Sequence, residues 1–176
     1  MGQLTGDDMK IKIVNCPDRD FKPYVEEAIS FYAEQLIPDG RIRNRCTTKV
    51  RFNHKISDYG VASVEACNAK NQPRKFLIEI HPGIGVRAIL ETLAHEMVHV
   101  KQYIMGETND QLSVWRGRKL DSDAIDYWDH PWELDAYGRE PGLSYKFVTQ
   151  NQLWDVFPDF RNPELPIVSQ PIMWLE

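Results

Sequence analysis

Cysteine is scarce in this chain of 176 residues, and the three present, Cys16, Cys46 and Cys67, are far apart with no C-x-x-C pair. An odd number at such spacing excludes a zinc knuckle and fits reduced thiols better than a disulfide framework. Long apolar runs are missing too: no stretch approaches the roughly 20 residues that span a bilayer. The residues before Ile11 are polar and include Asp7 and Asp8, without the basic-then-apolar order of a signal peptide. A cytoplasmic protein with no membrane partner is expected. Positive charge is in deficit, with a formal net charge of −5, which argues against general nucleic-acid affinity. There is no G-x-S-x-G and no cysteine in a recognisable active-site setting, so serine and cysteine hydrolase chemistry has no foothold. Gly83-Ile84-Gly85 is not a dinucleotide fingerprint, because position 88 is Ala. Internal repeats and low-complexity linkers are also lacking.

What is present is an ordinary globular composition, 42% hydrophobic and 27% charged, at a length that suits one domain, 1–176, able to bury a core without staples. Lys10 to Asn15 alternates as a short strand. Asp20 and Pro23 open a helix whose Val25, Ala28, Ile29, Tyr32 and Leu36 recur at helical spacing, with Pro38-Asp39-Gly40 as its stop. Thr47 to Asn53, Val61 to Ala66 and Lys75 to His81 read as strands, the last with Phe76, Ile78 and Ile80 on one face. These patterns give an α+β fold with a small mixed sheet packed on helices. Residues 107 to 129 look irregular, with a turn at Trp115 to Arg118. The core is expected to end near residue 142, followed by an aromatic and proline-rich arm, 143–176, lying irregularly on the body.

One stretch carries chemistry. His95-Glu96-Met97-Val98-His99 lies within Val86 to Tyr103, where Val86, Ile89, Leu90, Leu93, Ala94, Met97 and Val98 form a helical apolar stripe. Arg87, Glu91, Lys101 and Gln102 supply the wet side. Histidines four residues apart are rotated by only about 40° on a helix, so both imidazoles can reach one ion. Glu96 stands about 100° from His95, placed to take a proton from a metal-bound water and not to ligate beside the histidines. The spacing points to metal-assisted hydrolysis with Zn²⁺.

Two histidines hold zinc weakly, so a third donor must come from elsewhere. Glu133 leads, on a short helix that begins at Pro131 and exits at Gly138 or Gly142. His130 is the alternative; its other reading is a helix cap, which Asp129 could also supply. Asp135 points about 200° from Glu133 and cannot share the ion. His81 and His54 precede the metal helix and fit less well. Tyr137, one turn beyond Glu133, is the first choice to donate to a developing oxyanion, with His130 second.

The two motifs, His95-Glu96-Met97-Val98-His99 and Trp132-Glu133-Leu134-Asp135-Ala136-Tyr137, resemble those of the zincin metallopeptidases of compact gluzincin type, and are similar to small SprT-like and phage-encoded zincin-like proteins. The resemblance covers roughly residues 75 to 140. It implies a zinc endopeptidase acting on peptide or protein substrates, with Lys75 to His81 as an edge strand that pairs with an extended substrate. Many gluzincins carry an Asp four residues after the ligand Glu to orient a histidine; Tyr137 stands there, which leaves that partner unassigned. SprT-like proteins use a third histidine, which keeps His130 open. Two further readings accompany the enzyme: an inactive zinc-stabilised binding module, and a SprT-like nucleic-acid-associated protease. The latter draws on six basic and no acidic residues between Arg41 and Lys55.

Overall fold

Alternation of apolar and polar side chains builds a four-stranded sheet from β1 (Lys10–Val14), β2 (Thr47–Phe52), β3 (Gly60–Cys67) and β4 (Pro73–Ile80). The structure, a computed structural model, describes residues 8–161. Strand order is β1-β2-β4-β3. The pairs β1–β2 and β2–β4 are parallel, and β3 runs antiparallel to β4. Register sets Thr48 beside Phe76, Val50 beside Ile78 and Phe52 beside Ile80, and all six are buried. A one-residue slip would turn this whole set to solvent, so the apolar pattern fixes the pairing.

Four α-helices accompany the sheet among the described residues: α1 (Lys22–Leu36), α2 (Gly40–Arg43), α3 (Val86–Ile104) and α4 (Pro131–Gln150). The α1 stripe of Val25, Ala28, Ile29, Tyr32 and Leu36 is buried as its spacing requires. Asp20 does not cap α1, whose N-cap is Phe21 with no side-chain bond. Asp39 caps the short α2 by accepting from the Arg41 amide. Tyr32 donates its hydroxyl to the Leu90 carbonyl, tying α1 to α3. Each fully buried Ile, Leu or Phe in this layer contributes about 1.5–3 kcal/mol. The three cysteines are free, with Cys46 buried and Cys67 exposed on β3.

Three expectations are corrected. Lys75 to His81 is not an edge: β4 lies between β2 and β3, and the edge beside it is β3. Every strand here alternates, and alternation says which face is buried but not who the neighbours are. Second, α4 passes Gly138 and Gly142 and continues to Gln150 with Pro141 inside it. Burial of Leu143, Phe147 and Val148 outweighs the poor helix propensity of Gly and Pro. Ser144 Oγ donates to the Glu140 and Pro141 carbonyls beside the interruption. The irregular arm therefore begins after residue 150. Its Phe157 and Phe160 are buried against the core, and the expectations for 162–176 and for Met1 to Asp7 lie outside the described residues. Third, residues 107 to 129 are not irregular throughout: the expected turn at Trp115 to Arg118 is there, and it joins β5 (Val114–Trp115) to β6 (Arg118–Lys119) in a hairpin. Its turn residues Arg116 and Gly117 have φ of 46° and 82°, the left-handed pair that two-residue hairpins demand.

No helix among the described residues is long and apolar enough to cross a membrane.

Candidate metal centre

The apolar stripe of α3 docks on the sheet and on α4, and this rotation aims His95, Glu96 and His99 at one spot. His95 and Glu96 are buried, with 8% and 5% of their surface exposed. Pro131 occupies the first turn of α4, where its missing N–H is no loss. That start places Glu133 in the first turn, where α4 crosses α3. His95 Nε2 and His99 Nε2 lie 3.1 Å apart. Glu133 Oε2 is 3.2 Å from the first and 3.6 Å from the second.

The far side of each imidazole is engaged. His95 Nδ1 is 2.7 Å from Glu140 Oε2, and His99 Nδ1 is 2.9 Å from Gln102 Oε1. Gln102 Nε2 donates to the Trp132 carbonyl at 3.0 Å, which fixes the amide with its oxygen toward His99. Both Nδ1 atoms therefore act as donors, so each ring, once neutral, turns an Nε2 lone pair inward. Glu133 Oε2 is buried and makes no hydrogen bond of ordinary geometry. Three electron pairs thus converge on one point. His95, His99 and Glu133 form a group able to hold a metal ion.

Protons compete for the same lone pairs. Burial opposes charge on His95, but contact with Glu133 and Glu140 and the charge of Glu96 outweigh it and lift His95 from its ordinary 6.5 to about 10. Burial likewise opposes charge on Glu133, yet His95 and His99 hold it at about 2, below its ordinary 4.5. The His95 contribution to stability is thus complete below 6.5 and lost as pH rises through about 10. The Glu133 contribution is present above 4.5 and lost as pH falls through about 2. A metal competes for the same lone pairs. Metal binding at pH 7 should therefore release about one proton, and affinity should rise with pH. Titration calorimetry in buffers of different ionisation enthalpy measures this, and a buffer-independent heat would contradict it.

Glu96 sits against the first turn of the edge strand. Burial raises its pKa, while the charges of His99 and His95 pull it down; the charge of Glu133 raises it, and the Ala62 backbone amide lowers it by hydrogen bonding. Tyr137 packs its ring on His95, centroids 4.5 Å apart, and Trp128 packs on Tyr137 at 5.4 Å. Burial, then the charge of Glu133 and the neighbouring Tyr137, push the pKa of the Tyr127 hydroxyl upward.

His130 does not join the group. Its Nε2 is 3.0 Å from the Ser122 carbonyl, and its ring stacks on Trp132. It is the N-cap residue of α4, but neither it nor Asp129 caps the helix with a side chain. His54 and His81 pack against each other, away from the cluster. A surface cavity of about 300 Å³ between Phe21, Tyr24, Val86 and Phe157 contains none of the cluster residues.

Six residues around the site escaped sequence reasoning. Gln102 was assigned to the wet side but is fully buried; its position three residues after His99 was the available signal. Glu91, assigned likewise, is buried and bonded to Arg87. Glu140 stands two turns beyond Glu133, on the same face, and was lost with the premature helix end at Gly138. Tyr127 lies in a 3₁₀ turn, Tyr127–Asp129, where no periodicity marks it. Gly60 and Ala62 bear on Glu96 only through the sheet. Replacing Glu140 by alanine should weaken metal affinity about 10- to 100-fold, measured by competition with a chromogenic chelator; unchanged affinity would show that its contact with His95 is incidental.

The basic stretch disperses. Arg41 pairs with Asp39, Arg43 donates to the Ile37 and Pro38 carbonyls, and Arg51 pairs with Glu79. Comparison with protein-family models, curated proteins and solved structures finds no match to this chain.

Proposed function

We propose that this chain is a zinc-dependent metallopeptidase of the zincin type, with His95, His99 and Glu133 as ligands and Glu96 as general base. The observation that carries it is the convergence of three buried lone pairs on one point. Zinc with bonds of about 2.0–2.1 Å sets tetrahedral ligand atoms about 3.3–3.4 Å apart; the separations of 3.1, 3.2 and 3.6 Å bracket that value. Two imidazoles and one carboxylate suit zinc, whereas calcium and magnesium select oxygen donors. A carboxylate third ligand favours the gluzincin branch over one with three histidines.

Bound there, zinc would acidify a water molecule and polarise a substrate carbonyl. The protein residues supply the rest. Glu96 accepts the water proton and delivers it to the leaving amine nitrogen. Tyr137 remains the first choice of oxyanion donor, and the Tyr127 hydroxyl beside Glu133 joins it as a second. The backbone of β3, as the exposed edge nearest Glu96, is the surface on which an extended peptide would pair.

A zinc-stabilised module without catalysis leaves Glu96 unexplained: a carboxyl buried among the ligands raises the cost of the fold and serves a purpose only where a proton moves. Of the six basic residues between Arg41 and Lys55, Arg41, Arg43 and Arg51 have partners within the chain, which favours the peptidase over the nucleic-acid reading. Hydrolysis of a fluorogenic peptide library, abolished by chelation and restored by zinc, is the expected result. Absence of cleavage by fully zinc-loaded protein would overturn the proposal.

A further inference from the structure

Gly60 opens the edge strand β3, and its backbone needs no left-handed torsion, since its φ is not among the positive values. Conformational freedom is therefore not why glycine stands here. Space is. A Cβ on residue 60 would lie 2.5 Å from Thr92 Cγ2, 3.0 Å from Glu96 Oε1 and 3.1 Å from Ile80 Cδ1. The first distance is impossible without movement, and the other two leave only tenths of an ångström. Thr92 sits one helical turn before Glu96 on α3, so both present themselves to the same point of the strand.

We infer that Gly60 is a positioning residue for Glu96: the missing side chain lets β3 settle on α3 so closely that the Glu96 carboxylate lies against the backbone of residue 60. The site is built so that the helix carrying two ligands and the base is pressed against the strand end, with Thr92 as the spacer and Gly60 as the gap that accepts it. Any side chain at 60 must push Thr92 outward or lift β3. Lifting β3 takes the residue 60 backbone away from Glu96. The ligands His95, His99 and Glu133 make none of the three contacts, so metal binding is not part of the effect. The consequence for rate rests on Glu96 being the base, whereas the seating itself is a geometric statement about the strand and the helix.

The test uses zinc-loaded full chain in four forms: wild type, Gly60→Ala, Thr92→Ser, and the double variant Gly60→Ala with Thr92→Ser, which removes the Cγ2 methyl that the new Cβ meets. Expected for Gly60→Ala is wild-type zinc content, a fall in kcat of about 10- to 100-fold, the scale of a misplacement near 1 Å, and little change in KM. Thr92→Ser alone should match wild type, and the double variant should recover most of the lost kcat. Crystal structures of wild type, Gly60→Ala and the double variant provide a readout independent of activity: the Glu96 carboxylate should move away from the residue 60 backbone in the single variant and return in the double. A Gly60→Ala structure with Glu96 in its wild-type place overturns the seating. So does a loss of kcat that Thr92→Ser does not repair. If no form cleaves peptides, the peptidase reading fails while the structures still decide the seating; if Gly60→Ala does not fold, the double variant must fold and keep Glu96 in its wild-type place, or the proposal falls.

Discussion

Replacing Glu96 by glutamine should give a protein that keeps its zinc and hydrolyses peptides about 10² to 10⁴ times more slowly, the range expected for loss of a general base. Glutamine conserves shape and can still sit against β3, so the change removes proton affinity and little else. Zinc content should be unchanged, because Glu96 is not in the group His95, His99 and Glu133. Burial already raises the Glu96 pKa, against the opposing charges of His99 and His95 and the Ala62 amide. In the metal-loaded protein a divalent cation joins the charges that favour the carboxylate, so activity should fall as pH drops and the group takes a proton. A steady-state assay with metal analysis on the same samples checks both halves. Full activity in the glutamine variant would remove Glu96 from the mechanism.

Glu133→Ala should have the opposite signature: zinc affinity falls by more than about 100-fold, beyond the loss expected for an outer partner of a ligand. Its carboxylate provides the negative charge of the cluster and the link to the second helix, and among the described residues no other acid belongs to the group. Asp135 points elsewhere and is engaged by Arg139 at 2.8 Å. His130→Ala is the control and should bind zinc as wild type does, because its imidazole is committed to Ser122 and Trp132. A thermal unfolding series makes the same distinction: zinc at 100 times its dissociation constant should raise the wild-type midpoint by about 5–10 °C and leave the Glu133→Ala midpoint in place. Loss of zinc in the His130 variant and retention in the Glu133 variant would reverse the ligand assignment.

The helical half of the site was legible because periodicity is a local signal. His95 and His99 fall four apart within an apolar stripe, and Pro131 marks the helix start that positions Glu133. What periodicity cannot supply is the behaviour of polar residues that the fold buries for a purpose. Gln102 looks like surface until His99 and the Trp132 carbonyl are seen on either side of its amide. Glu140 looks like a residue beyond the helix, because Gly138, Pro141 and Gly142 are all weak helix formers and only the docking of Leu143 and Phe147 overrides them. Strand order was illegible for a different reason. Alternation assigns faces, and neighbours are settled by crossovers, so the edge fell to β3 instead of the strand that directly precedes the metal helix.

Ligands drawn from two helices make the cluster a cross-link. His99 and Glu133 are 34 positions apart, and a bond across that span removes from the unfolded chain an entropy that chain statistics place near 4 kcal/mol, roughly the effect of a disulfide closing the same loop. The three cysteines form no such bond. Within the span lie the β5–β6 hairpin and the Tyr127–Asp129 turn, short elements with little core of their own, while the far end of α4 stays anchored by Phe147 and Val148. Under the proposed reading, zinc supply governs chemistry and the order of this lobe together, so a starved chain would lose its catalyst and loosen the lobe beside it in one step.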